Sequence, residues 1–158
     1  NPYMGFDSIE PFSDYHSKGV FVLCLTSNSG SNDFQLPQLH LDVAQKVKQW
    51  NHHGNLGMVV GATHPQKISK IREKSGPMPY LIPGVGAQGG ELEKTLHAAK
   101  DGTNMPCLIN ASRSILYAKN ARDNESHRDE KITKKDCILR SRHAAYELNQ
   151  QIKKILEG

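Results

Sequence analysis

Apolar residues gather in four short runs, and between those runs they recur at helical spacing. The stretch from Gly19 to Thr26 is continuously apolar over the length of a strand. A run without polar alternation reads as a strand covered on both faces, as in parallel sheets. Gly57 to Ala62, Pro79 to Ile82 and Cys107 to Ala111 are further runs of this kind. After the first, Leu36, Leu39, Val43, Val47 and Trp50 predict an amphipathic helix, with Pro37 in its first turn and Gly54 beyond its end. Thr63-His64-Pro65 opens a second helix, with His64 as its cap, Ile68 and Ile71 inward and Gly76-Pro77 past its end. Leu92, Leu96 and Ala99 mark a third. Its acids, Glu91 and Glu93, come early and Lys100 late, as the helix dipole prefers, and Gly102 ends it.

The flanks are less regular. Ile9 and Phe12 face the core from a short helix, and Ser27 to Asn32 has the composition of a loop. Lys119 to Asp136 is polar and charged, a surface loop. Ile138, Ala145, Leu148, Ile152 and Ile155 form a closing helix. Strand and helix thus alternate about four times, which makes the chain α/β. Two architectures fit: half of a TIM (β/α)8 barrel, whose full length is about 250 residues, or a small open α/β sheet. Residues 1–158 read as a single domain or part-domain, with no linker or internal repeat. The chain begins Asn1-Pro2-Tyr3-Met4-Gly5 rather than with methionine. That start fits the later part of a longer protein, as well as processing or a tag remnant.

Charge and composition narrow the function. A net charge of +4 and a pI near 9.0 suit a small anionic substrate. No basic stripe interleaves with aromatics, so nucleic acid is not the expected partner. No apolar run approaches the roughly 20 residues of a membrane span, and no signal peptide is visible. Cys24, Cys107 and Cys137 are odd in number and lack metal spacing. They read as reduced, buried thiols of a cytosolic protein, and no metal site is expected.

The candidate chemistry lies where apolar runs end. Pro79-Tyr80-Leu81-Ile82-Pro83 leads into Gly84-Val85-Gly86-Ala87-Gln88-Gly89-Gly90. A glycine-rich turn between a strand and a helix lets backbone amides approach an anion, most often a phosphate. The same residues match the dinucleotide fingerprint in form. That fingerprint also wants an acid about 20 residues on, where this chain has Asn110-Ala111-Ser112-Arg113. A purely structural turn is the third reading. Arg113 follows the fourth run and carries a guanidinium able to grip a phosphate with two parallel bonds. If the four strands are the last four of a barrel, the glycine and arginine loops fall on its usual phosphate site. Thr26-Ser27-Asn28 ends the first run and reads either as a polar turn or as a hydrogen-bonding edge for a planar ligand. His52-His53 read as solvent-exposed. Asp129-Glu130-Lys131 sits in a charge run rather than at a strand end, which favours a solvated surface over proton transfer.

Several segments occur in one order: Asn1-Pro2-Tyr3-Met4-Gly5-Phe6-Asp7, Thr26-Ser27-Asn28, Val59-Val60-Gly61-Ala62-Thr63, Pro83 to Gly90 and Asn110-Ala111-Ser112-Arg113. Together they resemble the orotidine 5′-monophosphate decarboxylases, specifically the longer bacterial subgroup, over nearly the whole chain. The resemblance implies the C-terminal half of a TIM barrel with about four β/α units. It implies conversion of orotidine 5′-monophosphate to uridine 5′-monophosphate and carbon dioxide without metal or organic cofactor, in a cytoplasmic homodimer. It implies that Gln88, Gly86 and Gly89 hold the phosphate together with Arg113. Ser27 would bond the pyrimidine edge, and Pro83 would pack near the base. The family's catalytic Asp-x-Lys-x-x-Asp array is expected before Asn1. Asp129-Glu130-Lys131-Ile132-Thr133-Lys134 imitates only its beginning, with Lys134 where an aspartate is required. The chain is therefore expected to carry no catalytic residue of its own and to need the preceding half-barrel as partner. Two other functions stand beside this one: a non-catalytic phosphosugar or nucleotide-binding module, and a dinucleotide-binding oxidoreductase.

Overall fold

The computed structural model describes residues 1–86, 91–100, 106–119 and 133–157. They form two compact units, Asn1–Asn110 and Ala111–Gly158. The first unit contains a parallel sheet of β1 (Val20–Leu25), β2 (Leu56–Val60), β3 (Tyr80–Pro83) and β4 (Cys107–Asn110). The strands lie in the order β1-β2-β3-β4. Two short helices, α1 (Glu10–Ser13) and α2 (Ser31–Phe34), precede three longer ones: α3 (His40–Trp50), α4 (Pro65–Ser75) and α5 (Leu92–Ala99). The longer helices connect successive strands, and α4 packs between α3 and α5. A strand order without reversal, with its crossover helices side by side, is the winding of a barrel. A doubly wound sheet reverses its order and binds dinucleotides at the reversal. No reversal occurs among the described strands.

The core lies between sheet and helices. Val22, Met58, Val60, Tyr80 and Ile82 point into it from the strands, and Ala44, Val47, Ile68, Ile71 and Ala99 meet them from the helices. Each fully buried Leu, Ile or Met side chain contributes about 1.5–3 kcal/mol of transfer free energy. Arg72 ties the layers together at the start of β3. Its guanidinium stacks 3.6 Å from the Tyr80 ring centroid and donates to Met78 O at 2.8 Å and Ala99 O at 3.0 Å. The Tyr80 hydroxyl meets Ser75 Oγ at 2.7 Å, and burial pushes its pKa up to about 12.

The opposite sheet face departs from the expectation of strands covered on both sides. Leu23, Val59, Leu81 and Leu108 are aligned across the four strands. Leu23 and Leu108 at the two edges are 37% and 50% exposed, and Phe21 is also open to solvent. Helices cover only one face, so the apolar runs reflect a second layer that the described residues do not supply. In a complete barrel that face is the side-chain-filled interior.

Other boundaries also shift. Pro37 is not in the first turn of α3. The Gln35–Leu39 segment is wound more loosely, Leu36 is extended (φ −105°, ψ 149°), and the Leu36–Pro37 peptide is cis. The residue before a proline avoids helical geometry, so the regular helix starts at His40. The loop expected at Ser27 to Asn32 gives way to α2 at Ser31. Ile9 is buried as expected, but Phe12 is exposed on α1. Of the three free thiols, Cys24 is buried, Cys107 half-buried and Cys137 exposed, so burial does not extend to all of them. His52 and His53 are exposed, as expected.

The second unit holds α6 (Ser112–Leu116) and α7 (Lys134–Glu157), which pack on each other. Lys134 to Asp136, read from composition as loop, are the first turn of α7. Asp136 Oδ2 accepts from Thr133 N at 2.9 Å, and Asp136 N donates to Thr133 Oγ1 at 3.2 Å. This reciprocal cap satisfies amides that a helix start leaves open. The rest of the charged stretch, 120–132, including Asp129-Glu130-Lys131, lies outside the described residues. No described helix is long and apolar enough to cross a membrane.

Candidate functional site

The site is built at the C-terminal ends of β1, β2 and β3. Near the end of β1 the register slips. Leu23 pairs with Val59, but Leu25, not Cys24, pairs with Val60. The extra residue is a bulge, which re-aims the chain that follows it. Cys24 and Leu25 are both buried as a result. Cys24 Sγ lies 3.2 Å from His40 O as a donor, and burial pushes the thiol to about 12. It is a neutral core group and no nucleophile.

Thr26 and Ser27 leave the bulge under close control. Gln35 Oε1 accepts from Thr26 N at 2.8 Å, and Gln35 Nε2 donates to Thr26 Oγ1 at 2.9 Å. From β2, Gly61 N donates to Leu25 O at 2.7 Å, and Thr63 Oγ1 donates to Ser27 O at 3.3 Å. A Cβ on Gly61 would sit 2.6 Å from Ser27 N and 2.8 Å from Thr26 C, so only glycine lets these two backbones approach. Ser27 is half-buried, and its hydroxyl makes no hydrogen bond among the described residues.

The next link joins β2 to β3. Ala62 N donates to Pro83 O at 2.9 Å, and Thr95 Oγ1 from α5 donates to Ala62 O at 3.3 Å. Half-buried Pro83 thus ends its strand tied to the segment that holds Ser27. Beyond it the chain turns through Gly84 (φ 92°) and Gly86 (φ 73°), with Val85 buried between them. Two left-handed glycines at a strand end are what a turn presenting backbone amides requires. Gln88 and Gly89, expected phosphate ligands, lie outside the described residues.

His64 occupies the position before α4, but its side chain makes no capping bond there. Its ring is therefore not the cap that the sequence suggested. His40 was not singled out by the sequence, yet it is almost wholly buried. Its Nδ1 lies 2.9 Å from the Gln35 carbonyl, which can only accept, so the proton is on Nδ1. Its Nε2 is buried without a hydrogen-bond partner among the described residues. Burial lowers its pKa below 6.5, with Lys67 adding to the effect and the Gln35 bond opposing it. Gln35 and His40 were missed in the sequence, because they belong to none of its motifs. Thr63 was singled out only as part of the Val59 to Thr63 segment and as a helix start, not for its bond to Ser27. Arg113 belongs to the second unit, exposed on the first turn of α6. No group of three or more His, Cys, Asp or Glu among the described residues is placed to hold a metal.

Parallel strands in unreversed order, helices on one face and a glycine turn at a strand's C-terminal end define a segment of a TIM-type β/α barrel with its site at the usual face. Comparison with known proteins makes the class specific. Residues 1–125 match the family model described as orotidine 5′-phosphate decarboxylase / HUMPS family. An orotidine 5′-phosphate decarboxylase of Cupriavidus metallidurans is 47% identical over 152 residues, covering 90% of this chain and 55% of the relative. One of Ralstonia pickettii is 50% identical over 131 residues, covering 78% and 48%. Among solved structures, Leishmania donovani OMP decarboxylase superposes with a TM-score of 0.80 at 36% identity, covering 99% of this chain and 56% of that one. The orotidine 5′-monophosphate decarboxylase of Sulfolobus solfataricus, at 22% identity and a TM-score of 0.59, shares the fold. The chain belongs to the orotidine 5′-phosphate decarboxylase / HUMPS family. It spans about half the length of the curated relatives it matches.

Proposed function

We propose that this chain is part of an orotidine 5′-monophosphate decarboxylase and carries that enzyme's phosphate and pyrimidine recognition. The complete protein converts orotidine 5′-monophosphate to uridine 5′-monophosphate and carbon dioxide in pyrimidine biosynthesis. The observation that carries this reading is the family match over residues 1–125, together with the double-glycine turn after Pro83. The loop from Gly86 through Gln88 and Gly89 offers amides to the phosphate, and Arg113 offers its guanidinium. Ser27 bonds the pyrimidine edge, and Pro83 packs beside the base. A hydroxyl that makes no hydrogen bond among the described residues, on a tightly held backbone, supports the role given to Ser27. The lysine and aspartates that protonate the carbanion and destabilise the leaving carboxylate come from a preceding half-barrel. The whole enzyme is a cytoplasmic homodimer that uses no cofactor. The dinucleotide reading draws no support from the strand order or from the names of these relatives, and neither does a non-catalytic module.

Carbon dioxide release tests the reading. It is measured for the isolated chain, for the chain with a family N-terminal half, and for that mixture with the half's catalytic lysine replaced. Turnover in the second sample alone supports a split site, because phosphate positioning supplies orientation but no proton. Robust turnover by the purified chain alone would return Asp129, Lys131 and His64 to consideration. Equilibrium binding of uridine monophosphate against NAD separates the nucleotide readings directly.

A further inference from the structure

We infer that Gln35 is a positioning residue for pyrimidine recognition: its side-chain amide clamps Thr26 and thereby fixes the direction in which Ser27 presents its hydroxyl. This rests on the reading that Ser27 bonds the base.

A single amide engages Thr26 twice. Its oxygen takes the main-chain N–H, and its nitrogen donates to the hydroxyl. A fork of this kind fixes orientation as well as distance, because both bonds hold only when the residue stands in one rotational setting. The bonds span nine positions in sequence, from the end of β1 to the loosely wound segment before α3. They are not the local turn contacts that any loop makes. From the other side, Gly61 and Thr63 hold Leu25 and Ser27. Thr26 and Ser27 are therefore gripped on both flanks while the Ser27 hydroxyl stays unbonded among the described residues. A loop needed only to connect β1 to α2 would not require that control.

Gln35 is itself held. Its carbonyl accepts from His40 Nδ1 at 2.9 Å, and Thr26 Oγ1 lies 3.2 Å from its Oε1. The order of support runs from buried His40 to the Gln35 backbone, through the Gln35 side chain to Thr26, and so to Ser27. The outer members touch no ligand in this scheme. Gln35 acts through Thr26 and His40 through Gln35.

The test uses residues 1–158 and two ligands, uridine 5′-monophosphate and ribose 5-phosphate, with affinities measured by equilibrium dialysis. Gln35→Met keeps the length and removes both bonds. It is expected to weaken uridine monophosphate about tenfold, the size of one ordinary hydrogen bond, and to leave ribose 5-phosphate unchanged. Gln35→Glu keeps the acceptor for Thr26 N and is expected to recover most of the loss. Unchanged ribose 5-phosphate binding also shows that the variant is folded. If Gln35→Met does not fold, Thr26→Val carries the same comparison, since it removes one arm of the fork and keeps the other. Equal loss for both ligands, or none for either, overturns the positioning role of Gln35 alone. Failure of the wild-type chain to bind uridine monophosphate more tightly than ribose 5-phosphate overturns base recognition by Ser27, and the inference with it.

Discussion

Replacing Gly61 by alanine puts a single methyl group against the backbone that carries Ser27. The new Cβ would lie 2.6 Å from Ser27 N, 2.8 Å from Thr26 C and 2.9 Å from Ser27 Cα. All three are main-chain atoms, so no flexible side chain can swing away. Ordinary contact begins near 3.4 Å, so the ends of β1 and β2 must separate by most of an ångström. That displacement stretches the 2.7 Å bond from Gly61 N to Leu25 O and the 3.3 Å bond from Thr63 Oγ1 to Ser27 O. Overpacking of this kind costs about 1–3 kcal/mol, and each weakened hydrogen bond adds up to about 1 kcal/mol. A loss of roughly 2–4 kcal/mol is large against the 5–15 kcal/mol of a typical domain. Urea unfolding of Gly61→Ala, compared with wild type and with Gly19→Ala, measures it. Gly19 is the control, because a Cβ there meets nothing within 4 Å. If Gly61→Ala unfolds within about 0.5 kcal/mol of wild type, the usual range for a neutral surface change, the strand ends are not held by this contact.

Three further outcomes are expected. Arg113→Ala should weaken uridine monophosphate at least about tenfold, as loss of a charge-assisted bond does, and leave uridine untouched. Equal loss for both ligands would remove Arg113 from the phosphate site. Gly86→Val should impair monophosphate binding beyond any loss of stability: φ 73° is strained for a branched side chain and costs stability, and a side chain there also blocks backbone approach to the phosphate; unchanged affinity in a folded variant would reduce the turn to a connector. His40 has a lowered folded pKa, so the unfolded chain binds more protons than the folded one below the unfolded value of 6.5. Its contribution to stability is complete above that value and is lost as pH falls toward the folded pKa. Urea midpoints between pH 8 and pH 5 should therefore fall more steeply for wild type than for His40→Gln, and parallel curves would refute it.

The fold was legible because the parallel strands of this chain are short apolar runs with helical periods between them. Val22, Met58, Tyr80 and Ile82 could be assigned to strands from that pattern alone. What the pattern could not tell was how many faces are covered. An apolar run is the same string of letters whether helices lie on both sides or helices on one side and other strands on the second, so the runs alone read Phe21, Leu23 and Leu108 as covered, and only the half-barrel reading leaves an apolar inner face open. Composition misled at the start of α7 for a related reason. Thr133-Lys134-Lys135-Asp136 is polar because a helix start is exposed, but the threonine and aspartate are spaced to cap each other. The glycines at 84 and 86 were legible because positive φ leaves its mark on residue type. Gly61 left the same mark for a different reason, a close approach that only the register of β1 and β2 explains. Gln35 left none. A glutamine can sit almost anywhere, and its importance here comes from a one-residue bulge in β1 and an extended Leu36 that together bring its amide to Thr26. Sequence patterns show which residues a backbone conformation demands. They do not show which versatile side chain that conformation then places within reach, and in this chain the support for the Ser27 hydroxyl is of the second kind.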